Sequence, residues 1–96
     1  MEMLIKETYK DIAGKFFISI EQLLQESLKS YLLDRKKELM NEKLEMLSRY
    51  AVTNVDELET KIKQGILIEH PSWEDSIDLR NLEKEIQGIK DDISCL

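Results

Sequence analysis

The side chains best suited to chemistry are few in this sequence. His70 is its only histidine and Cys95 its only cysteine, so neither a histidine metal cluster nor an internal disulfide can be assembled within one chain. A nucleophilic serine or cysteine would need a base and a group to orient that base, and His70 has no recognisable partner for either role. Glu74, Asp75 and Asp78 lie together near a helix start, where carboxylates complement the helix dipole for structural reasons. The three glycines, Gly14, Gly65 and Gly88, are isolated, which leaves no glycine-rich loop to cradle a phosphate. These residues predict a protein that binds rather than catalyses and that carries no metal or cofactor.

Trp73 points to binding chemistry. A lone tryptophan beside the apolar run Ile66-Leu67-Ile68 has the character of an interface anchor; the alternative is that it packs on Ile68 and Ile77 inside its own chain. Gly65 and Pro71 bracket the run, and Pro71 disfavours helix at His70. Ile66, Leu67, Ile68, His70 and Trp73 are therefore the candidate partner-binding set, on an extended segment at 66–72.

The elements that would position these residues are helical. Apolar residues make up 42% and charged residues 35% of the 96, with one proline, the profile of helices with solvated faces. Ser19 and Gln22 are spaced as a capping box, with Ile18 and Leu23 as a hydrophobic staple, and no glycine or proline follows until the next turn. A long helix is expected over 19–50. Asn54 and Glu57 repeat the capping signal and Gly65 supplies a C′ residue, which places a short helix at 54–64. Ser72 would cap a last helix over 73–96. Residues 1–18 admit a strand or a helix; we read a short helix from Glu7 to Ala13, closed by Gly14.

Unbroken, the long helix would span ~45 Å, more than the roughly 30 Å breadth of a compact globule of this length. The last helix carries Leu79, Leu82, Ile86, Ile89, Ile93 and Leu96 at alternating spacings of three and four, a short coiled-coil seam. The expectation is an all-α hairpin or bundle, a long central helix with shorter C-terminal helices, completed by oligomerisation. A homodimer is the simplest assembly, and Leu24, Leu28, Tyr31, Leu39, Leu82, Ile86 and Ile89 are its candidate interface.

Charge narrows the partners. The net charge of −6 falls mostly on residues 49–96, which disfavours nucleic acid and anionic membranes and suits a basic protein. No apolar run approaches the roughly 18 residues of a membrane span, and a reducing cytoplasm is the simplest home.

Two stretches carry a family resemblance. Ile18-Ser19-Ile20-Glu21-Gln22-Leu23-Leu24-Gln25-Glu26-Ser27-Leu28, through Tyr31-Leu32, resembles the second helix of ribbon-helix-helix antitoxins. The region Tyr50 to Leu82, with His70-Pro71-Ser72-Trp73-Glu74-Asp75 at its centre, is similar to the C-terminal part of small prokaryotic antitoxin-like proteins of type II toxin–antitoxin pairs. The resemblance implies a regulator that binds and neutralises a basic, toxin-like protein. A ribbon-helix-helix protein also needs an alternating strand that enters the DNA major groove; Met3 to Thr8 is a degenerate version of one, and Lys6, Lys10 and Lys15 are too few for operator binding. The competing expectation is a structural homo-oligomerisation module or adaptor with no toxin partner.

Overall fold

Ser19 adopts an extended backbone (φ −74°, ψ 160°) and its hydroxyl accepts the Gln22 N–H at 3.0 Å, so the long helix begins where its capping signal stands. The computed structural model describes residues 2–67 and 69–96. Four helices run through them: α1 (Glu2–Lys15), α2 (Ile20–Arg49), α3 (Val55–Lys63) and α4 (Glu69–Ser94). No strand occurs among the described residues, and the chain is all-α with a long central helix. The second half of the α2 capping box is not made, because the Gln22 amide donates to Glu26 at 3.4 Å instead of turning back to Ser19. At α3 the cap is complete in a shifted form. Asn54 Oδ1 accepts the Glu57 N–H at 2.8 Å, and the Glu57 carboxylate accepts the Thr53 N–H at 3.0 Å and the Thr53 hydroxyl at 2.8 Å.

α1, α2 and α3 end in the same way. The N–H two residues past each cap reaches back to a carbonyl five residues earlier: Ile18 to Ala13, Val52 to Leu47 and Ile66 to Lys61, each at 3.1 Å. This is the Schellman closure, which needs a left-handed residue just before that donor. The left-handed residues are Phe17 (φ 56°), Ala51 (φ 52°) and Gly65 (φ 74°). Only the third is the glycine that such a position favours.

Two expected boundaries are corrected. Gly14 does not close α1; the helix continues to Lys15 and turns at Phe17. The extended segment expected at 66–72 is short, because α4 begins at Glu69 and carries Pro71 within its first turn. Proline is tolerated there, since the first helical N–H groups have no intrahelical acceptor to lose. Ser72, expected as the cap, is instead 2% exposed on the inner side of α4. The Ile68 expectation and the His70 side chain lie outside the described residues.

α4 folds back antiparallel along α2. Tyr50 donates to Asp75 at one end, Lys43 Nζ lies 3.6 Å from Glu83 further along, and Gln25 Nε2 donates to the Leu96 carbonyl at 2.5 Å at the other end. The core occupies one end of this hairpin. Leu39, Met46 and Leu47 of α2 meet Leu58 and Ile62 of α3 and Leu79, Leu82 and Ile86 of α4, with Leu58 and Leu79 fully enclosed. The other end is different. None of residues 20–38 is buried, and among residues 6–15 of α1 only Ala13 is. The molecule is therefore a packed head with a long, thinly covered arm, 61 × 25 × 18 Å with a radius of gyration of 19.9 Å.

Candidate protein-binding surfaces

The chain from Ile66 onward turns under the end of α2 and opens an apolar cleft of about 400 Å³ lined by Tyr50, Ile66, Leu67, Pro71 and Ser72. Leu67 is half-buried against the core while Ile66 is 64% exposed. A second cleft of about 400 Å³ runs between α2 and α4. Its lining includes the carboxylates of Glu42, Asp75, Asp78 and Glu85 against the single cation of Arg49. Tyr50 belongs to the first cleft and Asp75 to the second, and the hydrogen bond between them forms the shared wall. Apolar and acidic surface thus meet at one point of the head.

The shared wall is electrostatically fixed. Burial, then donation of its hydroxyl to Asp75, and then the Asp75 charge push Tyr50 up to about 12, so the phenol stays a donor. On the flank of the head, the Arg80 guanidinium clasps α3. It donates to both oxygens of Glu59 at 3.1 and 3.0 Å and to Asp56 at 2.7 Å. Its pKa is raised, by the Glu59 bonds first and the Asp56 bond second. Across the N-cap of α3, the Thr53 backbone N–H and then its hydroxyl lower the Glu57 carboxyl below the usual range.

The predicted binding residues divide. Ile66 and Leu67 line the apolar cleft, but Trp73 does not. It lies nine residues before Leu82, half a helical turn out of phase with the buried face at 100° per residue, and is 45% exposed beside Ile77 at 48%. The expected interface divides more sharply. Leu39, Leu82 and Ile86 are 2%, 8% and 6% exposed in the chain's own core, and Ile89 packs against it. The α4 seam from Leu79 to Ile89 packs into the core with α2 and α3, so these four are not free for a second chain. Leu24, Leu28 and Tyr31 remain open, at 48%, 48% and 66%.

The sequence pattern did not single out Glu42, Asp78 and Glu85 as one groove. Glu42 is on a different helix, and only the antiparallel register of α2 and α4 brings it to the other two. Among the described residues no group of three or more His, Cys, Asp or Glu is placed to hold a metal ion, and no helix is long and apolar enough to cross a membrane.

The fold and its surfaces define an elongated helical hairpin with a small packed head. The chain belongs to the uncharacterized protein MJ0235 family, which it matches over residues 1–96. Neither a curated protein nor a solved structure matches it.

Proposed function

We propose that the protein acts by binding another protein chain through its head, as an antitoxin-like regulator that covers a basic, toxin-like partner. The observation that carries this reading is the junction of the apolar cleft with the acidic groove at Tyr50 and Asp75. A basic amphipathic segment is the chemistry that fits it. Its apolar side chains would enter between Ile66, Leu67 and Pro71, and its cations would pair with Glu42, Asp78 and Glu85. Every one of those residues except Glu42 and Glu85 lies in the stretch from Tyr50 to Leu82 that resembles antitoxin-like proteins.

The partner to test is the product of the neighbouring gene, co-expressed and titrated by calorimetry. Binding should be tight and should weaken with salt, because the acidic groove is exposed to screening. Ile66→Asp, which puts a charge into the apolar cleft, should weaken the complex at least tenfold with helical content unchanged. No binding to that product would sink the antitoxin reading. A structural module with no toxin partner is the second reading, and the uncovered arm favours it. The two differ at Trp73, which a purely structural module would keep enclosed; its 45% exposure supports the first. Red-shifted tryptophan emission open to quenchers in the free protein is the matching observation.

A further inference from the structure

The arm poses a separate physical problem. α1 has 14 residues, a length at which an isolated helix is marginal in water, and among residues 6–15 it buries only Ala13. Where α1 turns into α2, Phe16 is 69% and Phe17 96% exposed. Along α2, Leu24, Leu28 and Tyr31 follow at i, i+4 and i+7, one face of a helix, and stay 48%, 48% and 66% exposed although α4 runs beside α2 as far as Gln25. The arm thus carries large apolar side chains, Ile12, Phe16, Phe17, Leu24, Leu28 and Tyr31, that the chain's own elements leave exposed.

From this we infer that the arm pairs with the arm of a second copy, antiparallel, with the two heads at opposite ends. Area is the first argument. At their exposures, Phe16, Phe17 and Tyr31 leave roughly 450 Å² of aromatic surface open if each ring residue offers roughly 200 Å². Ile12, Leu24 and Leu28 bring this to on the order of 650 Å², near the ~800 Å² per partner of a standard stable interface.

Charge is the second argument and sets the direction. Residues 1–38 with 87–96 carry 8 Lys/Arg and 9 Asp/Glu, whereas residues 39–86 carry 6 and 11; the arm is −1 and the head −5. Arm can meet arm almost without repulsion. A parallel pair would set two −5 heads side by side, and an antiparallel two-fold pair separates them while using the same patch on both copies. The dimer would then be bivalent, presenting two outward-facing heads. This inference concerns a different surface from the head proposal and stands or falls without it.

Light scattering on the full chain tests the pairing. Twice the monomer mass at micromolar concentration is expected, and a monomer mass at every concentration tried would overturn the inference. Phe17→Gly is the discriminating variant, because it removes exposed ring surface while relieving a left-handed backbone, so it cannot weaken the dimer by unfolding the chain. It should raise the dimer dissociation constant at least tenfold, and Tyr31→Glu should do the same. Unchanged mass profiles for both would place the contact elsewhere and refute the arm. For direction, spin labels on Lys63→Cys in a Cys95→Ser background should lie farther apart than the ~45 Å length of α2. A shorter separation would refute the antiparallel arrangement.

Discussion

Ala51→Gly should stabilise this protein, and Gly65→Ala should destabilise it. Both residues close a helix with the same pair of backbone hydrogen bonds and the same left-handed φ, 52° and 74°. An L-residue in that region carries a penalty of roughly 1–2 kcal/mol from its Cβ and carbonyl. Glycine avoids it but gives up about 0.4–1 kcal/mol of unfolded-chain entropy. The difference is a gain of about 0.5–1 kcal/mol for Ala51→Gly and a loss of the same size for Gly65→Ala. Packing does not confuse the comparison, because Ala51 is exposed and a Cβ on Gly65 would meet nothing within 4 Å. For a domain near this size, 1 kcal/mol moves Tm by about 4–8 °C. Thermal denaturation followed by circular dichroism, at one fixed protein concentration, should therefore separate the two variants by several degrees in opposite directions. If Ala51→Gly melts lower than the parent, the strain argument is wrong.

Four further outcomes follow from the packing and the charges. Leu58→Ala, at a side chain with no exposure, should cost about 2–5 kcal/mol in urea unfolding, a large share of the stability of a chain this size. Gly88→Ala, in mid-α4 with open space around it, should add about 0.5–1 kcal/mol in the same assay. Tyr50, raised to about 12 by burial and Asp75, binds its proton more tightly folded than unfolded. Its contribution is complete below pH 10 and lost as pH climbs toward 12, so ultraviolet titration should show a tyrosine ionising near 12 that Tyr50→Phe removes. Glu57 is lowered, so its cap contribution holds above the ordinary carboxylate range and is lost as pH falls through the depressed value; the Thr53 amide resonance should shift in that acid window and not before.

What could be read from the sequence was whatever local chemistry decides. Ser19 and Asn54 are caps in the structure as in the sequence, and Gly65 closes α3 with the expected geometry, because those signals act within five residues. The same logic misplaced the start of α4. Pro71 reads as a helix breaker in isolation, yet in a first turn it breaks nothing. Phe17 and Ala51 gave no turn signal, since neither residue type favours the conformation it holds; the neighbouring helices enforce it. The heptad seam of α4 was correctly periodic but could not declare its partner. Leu82 and Ile86 pack equally well on a copy or on Leu39 and Leu58, and only the antiparallel fold of α4 along α2 chooses between them. The acidic groove is legible only after that register is known.

The elongated shape has a practical consequence for anyone weighing the molecule. A compact chain reaches a radius of gyration of 19.9 Å only at about 330 residues, more than three times the 96 present here. A single copy will therefore run ahead of globular standards on a gel-filtration column and pass for an assembly it has not formed. A retention volume alone counts the length of the arm, not the number of chains.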